Sequence, residues 1–329
     1  MKNYFETKPA RGILALLFIA ACMVFVNADA AEKYPSRPIK IVVPYGAGGT
    51  GDTFARVLGK QIESTLNQPV IVEDRPGAGG NIGAAYAAKA DPDGYTLFMA
   101  GNSFSGNLSL FKHPPYALSD FAPIMLIAVN PYIVVANPEF PVSNISQLIA
   151  YAKAHPNAVN FGSAGVGGGQ HLSGELMNSM AGITMTHVPY NSATKMLTEL
   201  IGKDIQIGFS SMVAALPLVQ SGKLKALAVT TPARSKALPN VPTVAESGLP
   251  GYDMHGWYGV FVPAGTPAPV VNKLNKVFAD ALKDPQTAKL LEVGGNELIG
   301  GTPGEFETFV EKDVQKDAKL IKSAGVKPQ

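Results

Sequence analysis

Gly46-Ala47-Gly48-Gly49-Thr50-Gly51-Asp52-Thr53 is the stretch that decides the fold. Ile39-Lys40-Ile41-Val42-Val43 precedes it, a β-branched run between Pro38 and Pro44 that predicts a buried strand. After it, Phe54, Leu58 and Ile62 recur at i, i+4 and i+8 with Val57 beside them, which predicts an amphipathic helix over residues 52–66. Asp52 reads as its N-cap. Strand, glycine loop and helix N-terminus is an arrangement in which free N–H groups and the helix dipole face an anion.

Two phosphate-binding motifs come close. The P-loop pattern is met by Gly46, Gly51 and Thr53, but Asp52 stands where a lysine must reach the outer phosphates, and a carboxylate there repels them. The dinucleotide pattern G-x-G-x-x-G is met by Gly46, Gly48 and Gly51. Glu73 and Asp74, at the end of Val70-Ile71-Val72, stand where the ribose-binding acid belongs. A tight turn that binds nothing satisfies the same residues.

The start of the chain weighs against a nicotinamide cofactor. Lys2, Lys8 and Arg11 form a basic region, residues 13–26 an apolar run, and Ala28-Asp29-Ala30 a small-residue cleavage signal before Ala31. This predicts a secreted, periplasmic protein cleaved after Ala30, exported without a preloaded cofactor because no twin-arginine pair is present. Ile19-Ala20-Ala21-Cys22 resembles a lipid-attachment box, a lesser alternative because the apolar run continues past Cys22. Cys22 is the only cysteine, so the mature chain has no disulfide framework. Without the leader, 24 of the 27 basic and 23 of the 25 acidic residues remain. A net charge near +1 argues against nucleic acid and against a polybasic membrane surface. Some 299 of the 329 residues remain, a length at which one core usually divides in two.

Strand and helix signals then alternate to the end, predicting an α/β fold with parallel sheets. A second glycine loop, residues 76–83, follows the strand at 70–73 and opens a helix over 82–90. A strand at 95–100 runs into a loop, Gly101-Asn102-Ser103-Phe104-Ser105. Two strands are expected around Asn130-Pro131, at 124–128 and 133–135, and Ser143 is expected to cap the helix that follows. A third glycine loop, residues 162–169, precedes a helix over 170–180. Strands at 184–188, 205–209 and 224–229 alternate with helices at 193–201 and 213–220. Thr266-Pro267 and Thr302-Pro303 each place a cap before a first-turn proline, and Thr302 with Glu305 forms a capping box. Phe306, Phe309, Val310, Val314, Leu320 and Ile321 form the apolar stripe of the last helix.

All three loops follow strands and precede helices, and in open α/β sheets such loops converge on the ligand crevice. None carries a lysine or arginine. The site should therefore hold a modest negative charge through backbone amides and hydroxyls (Thr50, Thr53, Ser103, Ser163), which suits carboxylates better than phosphates. Catalytic and metal-binding patterns are missing. The five histidines show no H-x-x-x-H or H-E-x-x-H spacing, and Gly162-Ser163-Ala164-Gly165 lacks the spacing of a nucleophile elbow. No metal and no cofactor is expected. His171 reads first as a packed helix-start residue and second as a ligand contact, and Asp52 first as a cap and second as a ligand contact. Trp257, in Gly256-Trp257-Tyr258-Gly259, reads first as core or hinge where the chain crosses between two lobes and second as a residue that stacks on the ligand.

Several stretches together resemble the Bug family, the extracytoplasmic solute-binding proteins of tripartite tricarboxylate transporters. They include Tyr34-Pro35-Ser36-Arg37-Pro38, Val43-Pro44-Tyr45-Gly46-Ala47-Gly48-Gly49, Asp74-Arg75-Pro76-Gly77-Ala78-Gly79-Gly80-Asn81 and Asp91-Pro92-Asp93-Gly94-Tyr95. Phe161-Gly162-Ser163-Ala164-Gly165 with His171-Leu172, His187-Val188-Pro189-Tyr190 and Trp257-Tyr258-Gly259 continue the likeness over essentially the whole mature chain. The resemblance implies a two-lobed Venus-flytrap fold of the periplasmic-binding-protein type. Residues 31–130 with 246–329 would form one lobe and 131–245 the other. It also implies a monomeric receptor, not an enzyme, that closes on a small carboxylate and delivers it to membrane permease subunits. The ligand would be held by the first loop (Tyr45, Gly48, Gly49, Thr50, Asp52) with Ser103, by the third loop (Ser163, Ala164, Gly167, Gly168) with His171, by Pro189, Tyr190 and Asn191, and at Ser210. Two departures stand out. Phe209-Ser210-Ser211 replaces the Phe-Asp-Asn often found in the family, and Asn191-Ser192 replaces lysine and glycine. Loss of the pocket acid disfavours an amino acid and favours a hydroxy-, aromatic or plain dicarboxylate. The competing reading is an exported cleft enzyme or nucleotide-binding oxidoreductase using the G-x-G-x-x-G loop.

Overall fold

The structure is a computed structural model that describes Met1, residues 34–323, Val326 and Pro328. The expected leader, with Cys22 and the cleavage point at Ala30, lies outside the described residues apart from Met1. The chain divides into two units, Met1–Ser36 and Arg37–Gln329, and the fold is that of the second.

Strand β1 (Ile39–Val43) is almost wholly buried, as its β-branched run requires. Parallel partners flank it on both sides, β2 (Val70–Asp74) and β3 (Thr96–Gly101). Helix α1 (Thr50–Leu66) connects β1 to β2 and α2 (Asn81–Ala88) connects β2 to β3. Helix α3 (Asn102–Leu110) then leads into β4 (Phe121–Ala136). The second half of the chain repeats the alternation with α4 (Ile145–Ala154), β5 (Asn160–Ser163), α5 (Gly169–Ala181), β6 (Thr186–Pro189), α6 (Ala193–Gly202), β7 (Ile207–Ser211), α7 (Met212–Gln220) and β8 (Lys225–Val229). The chain returns through β9 (His255–Pro263), α8 (Ala268–Lys283), α9 (Pro285–Leu291), β10 (Glu297–Gly300) and α10 (Pro303–Ser323).

The strands run in the order β2-β1-β3-β9-β4-β7-β5-β6, with β8 and β10 also paired to β4. Pairing is parallel at both flanks, β2-β1-β3 and β7-β5-β6, and antiparallel through β9 and β4. Strand β4 is continuous where two short strands were expected. Its residues 121–131 pair with β9 and residues 132–136 pair with β7. Pro131, opposite His255, is the last residue of β4 paired with β9, and a proline with no N–H to donate is best placed at such a ladder end. Other local expectations shift by a residue or a role. The loop expected after Gly101 is helix α3, and Trp257, expected as a core or hinge residue, is buried in a core on strand β9. Asn144, not Ser143, caps α4, accepting from the Gln147 amide at 2.8 Å. Gly49, not Asp52, is the N-cap of α1. Thr266 turns its hydroxyl to the Pro263 carbonyl at 2.7 Å and leaves Pro267 as the N-cap of α8. The capping box at α10 is present: Thr302 Oγ1 accepts from the Glu305 amide, and Glu305 Oε2 accepts from the Thr302 amide at 2.7 Å.

Among the described residues, hydrophobic cores form on both halves of the sheet, one of them around Ile133, Met196 and Leu200, and two others bear on the site. The first gathers Val42, Phe98, Phe104, Phe121, Trp257, Phe261, Phe306 and Val310, with Phe104 centroids 5.1 Å from those of Tyr116, Phe121 and Phe261. The second gathers Val134, Phe161, Leu172, Ile207, Phe209 and Tyr252. Helices α3 and α10 reach into both: Phe104 and Phe306 pack in the first core, Leu110 and Leu320 in the second.

A buried polar knot joins these two helices to β9. Asp313 Oδ2 accepts from Trp257 Nε1 at 2.7 Å and from Ser105 Oγ at 2.6 Å, and Asp313 Oδ1 pairs with Lys316 at 2.9 Å. Asp317 Oδ2 lies 3.0 Å from the same Ser105 oxygen. Burial first, and the charge of Asp313 second, push the Asp317 carboxyl up to about 8. A protonated Asp317 can donate from Oδ2 to Ser105 Oγ while Ser105 donates to Asp313, which links the three groups and leaves Asp317 Oδ1 without a partner. The ordinary unfolded value is about 3.9. The folded state thus holds the extra proton between about pH 4 and 8. The stability this contributes is complete below about pH 4 and is lost as pH rises through 8. Asp317→Asn, which mimics the protonated form, should therefore gain thermal stability relative to wild type between pH 5 and pH 9. Melting curves at the two pH values check this, and an unchanged difference would contradict the extra proton.

Candidate functional site

A cavity of about 290 Å³ lies where the two halves of the sheet meet, at the low end of the range for small-molecule sites. Tyr45, Thr50, Gly79, Asn102 and Ser103 line it from the first half, with Trp257 and Tyr258 of β9. Asn130 and Tyr132 of β4 form its floor. Ala164, Gly165, Val166, Gly168, Gly169, Gln170 and Ser211 close it from the second half. This lining contains no aspartate, glutamate, lysine, arginine or histidine.

Four helices begin at its wall. Helices α1, α3, α5 and α7 start from Gly49, Gly101, Gly168 and Ser211, and none of them has a side-chain cap. Elsewhere, α4, α6 and α9 are capped by Asn144, Ser192 and Asp284, and α10 by its capping box, while α2 and α8 also start without a side-chain cap. An uncapped first turn leaves N–H groups without intrahelical partners and the positive end of the dipole unneutralised. Thr50, Asn102 with Ser103, and Gly169 with Gln170 place three such first turns on the cavity wall, and Ser211 brings the fourth to its edge. Glycine is needed at two of these starts for space. A Cβ on Gly101 would lie 2.7 Å from Tyr45 Oη, and one on Gly169 would lie 2.2 Å from Tyr132 Oη.

Neutral side chains hold this geometry. Asn102 Nδ2 donates to the His255 carbonyl at 3.1 Å, while its Oδ1 accepts from the Trp257 amide at 2.9 Å and from the Tyr132 hydroxyl at 3.1 Å. The Tyr45 and Ser103 hydroxyls meet at 3.0 Å. Burial raises the hydroxyls of Tyr45 and Tyr132 and pushes Tyr258 up to about 12, so all three stay protonated and act as neutral donors. The buried Asn130 Oδ1 has no protein partner.

Of the residues expected at the site, Tyr45, Thr50, Ser103, Ala164 and Gly168 stand on the wall. The others do not. The Gly48 amide is taken by Asp52 Oδ2 at 2.8 Å, and the Gly49 amide faces Gly46 O at 3.4 Å. Asp52 is buried and pairs with Arg56 at 2.6 Å, so its charge is spent inside the first loop. Ser163 is fully buried, with Oγ against His187 Nε2 at 2.7 Å. The Gly167 amide donates to His171 Nδ1 at 3.0 Å, and His171 is 3% exposed. Pro189 ends β6, Tyr190 and Asn191 follow it, and none of the three lines the cavity; the Tyr190 amide donates to the Ser163 carbonyl at 3.1 Å. Ser210 is buried without a partner, and its neighbour Ser211 takes the wall position because successive strand side chains face opposite ways. Asn102, Asn130, Tyr132, Gln170, Ser211 and Tyr258 were not anticipated. For Asn102 a signal existed: Gly101 ends a strand just as the recognised loops do.

The acids at the ribose position of the dinucleotide motif are engaged by cations. Glu73 pairs with Lys40 at 2.6 Å and with Arg75, and the Lys40 hydrogen bond holds its carboxyl below the usual range. Asp74 pairs with Arg56 at 3.0 Å. A larger depression of about 410 Å³ lies between Arg37, Lys40, Lys89 and Tyr86, but Arg37 and Lys40 are already paired with Asp93 and Glu73 and no helix N-terminus lines it. Among the described residues no cluster of His, Cys, Asp or Glu could hold a metal ion, and no helix is long and apolar enough to cross a membrane.

Residues 54–326 match the family described as tripartite tricarboxylate transporter family receptor. Protein BugT of Bordetella pertussis is 34% identical over 314 residues, 94% of this chain and 96% of that protein. Among solved structures, Rpa4515 of R. palustris with adipate is 34% identical with a TM-score of 0.82, covering 90% of this chain and all of that one. MatC of Rhodopseudomonas palustris with bound malate is 30% identical with a TM-score of 0.78, covering 88% of this chain and all of that one. The chain belongs to the tripartite tricarboxylate transporter receptor family, whose members are solute-binding receptors with an α/β periplasmic-binding-protein fold.

Proposed function

We propose that this protein is a periplasmic receptor that captures a small dicarboxylate in the cavity between the two halves of its sheet and delivers it to the membrane permease of a tripartite transporter. The observation that carries this reading is the convergence of four helix N-termini without side-chain caps on a cavity free of charged side chains. Two of the helices come from each half of the sheet. A ligand with a carboxylate at each end can engage both sets of amides and draw the halves together, which closure requires of any ligand that favours the closed state. In this reading residues 31–130 with 246–329 move against residues 131–245. The relatives solved with adipate and malate, and a cavity wall without a carboxylate to hold an ammonium group, favour a plain or hydroxylated dicarboxylate over an amino acid. The basic, apolar and small-residue pattern of residues 1–30 supports delivery to the periplasm.

A thermal-shift panel of succinate, malate, adipate, phthalate and citrate tests the reading. A bound carboxylate at a hundredfold excess over its Kd should add about 2.7 kcal/mol of stability. A shift with NAD and none with the carboxylates would reverse it. Gln170→Glu places a carboxylate in the first turn of α5, on the cavity wall. Repulsion across the cavity should weaken binding at least tenfold, about 1.4 kcal/mol. The ligand-free variant should melt no lower than wild type, because an acidic first turn suits the helix dipole. Calorimetric titration and melting curves check the two halves of this expectation.

A further inference from the structure

The third glycine loop supplies Ala164, Gly165, Val166, Gly168 and Gly169 to the cavity wall, yet its glycines have no side chains with which to stiffen it. Two stacked imidazoles lie behind it. The rings of His171 and His187 are 3.8 Å apart between centroids, 22° from parallel, and Phe161 stacks against His187 at 5.0 Å. Each imidazole holds one part of the loop. His171 Nδ1 accepts from the Gly167 amide at 3.0 Å. His187 Nε2 meets Ser163 Oγ at 2.7 Å, and that hydroxyl donates to the Gly165 carbonyl at 2.9 Å. The same oxygen accepts from the Gly165 amide at 3.3 Å.

The hydrogen-bond pattern assigns the protons. The only hydrogen on Ser163 Oγ is used on the Gly165 carbonyl, so His187 Nε2 is the donor to that oxygen. His171 Nδ1 is an acceptor, so its proton is on Nε2, facing Glu175 Oε1 at 3.5 Å. His171 is therefore the neutral Nε2–H tautomer, and His187 carries a proton on Nε2. Burial, and the adjacent His171 ring, push His187 down to about 3, which agrees with neutral stacked rings.

We infer that His171 and His187 are positioning residues that fix the direction of the third loop and of the α5 N-terminus, through the Gly167 amide and through Ser163 to Gly165, without touching the ligand. The inference rests on the proposed reading of the cavity as a carboxylate site.

The experiment uses His171→Leu, which removes the acceptor, and His171→Asn, whose Oδ1 can stand where Nδ1 stands. In ligand-free protein, amide hydrogen exchange at Gly165 and Gly167 should rise at least tenfold in the leucine variant and return close to wild type in the asparagine variant. Affinity for adipate and for malate should fall at least tenfold with leucine and recover to within about threefold with asparagine, while both variants keep a cooperative melt. Leucine leaving exchange and affinity at wild-type values, or asparagine failing to restore either, overturns the inference. Should the leucine variant not fold, nitrogen NMR of the wild-type imidazoles decides: Nε2–H on both rings supports the assignment, and Nδ1–H on His171 overturns it. If wild type binds neither probe, the cavity reading fails, and exchange and tautomers still decide the role of the histidines.

Discussion

Amide groups at helix starts must find partners in the same chain, in water or in a ligand, and this protein leaves four sets of them open toward one space. The choice is local and repeated. Where a helix begins away from the cavity, an asparagine, serine, aspartate or threonine usually closes its first turn. Where a helix begins at the cavity, the N-cap is glycine in three cases of four and no side chain reaches back. A start with glycine as its N-cap is less stable than a side-chain-capped one by about a few tenths of a kcal/mol. That deficit is what an anion in the cavity would recover.

The absence of charged side chains from the wall follows the same logic. A lysine or arginine would hold a carboxylate more strongly but would need a partner in the empty state. Backbone dipoles and raised tyrosine hydroxyls carry no net charge, so the empty cavity has no buried ion to satisfy. The charges that the loops do contain are consumed behind the wall. Asp52, Asp74 and Arg56 bind one another under the first loop, and Glu73 is held between Lys40 and Arg75. Behind the third loop, burial holds His187 neutral.

Support for this geometry comes from outside the loops. Helices α3 and α10 anchor in both cores and are tied together by Ser105, Asp313 and Asp317. Asn102, one turn before that knot, binds β9 and Tyr132 at once. A single helix thus presents its N-terminus to the cavity, holds the floor strand and joins the two halves of the molecule.

Much of this was legible in the chain itself. The run at 39–43, the glycine loop at 46–53 and the apolar period from Phe54 to Ile62 determined a strand, a turn and a helix start, because each depends on neighbours a few residues away. The same held for the loop at 162–169 and for the capping box at Thr302. Strand β9 and the continuity of β4 were not legible, since they depend on pairing between residues more than a hundred positions apart. The site was divided in the same way. That amides rather than cations would line it could be read from glycines without lysines. Which amides remain free could not. Gly48 turns to Asp52 and Gly167 to His171, whereas Asn102, Tyr132 and Ser211 reach the wall through strand register and helix placement. Sequence alone determined the chemistry of the loops, a property of short range. Tertiary structure decided which atoms face the cavity, because hydrogen-bond partners are assigned by distance in space and not by distance along the chain.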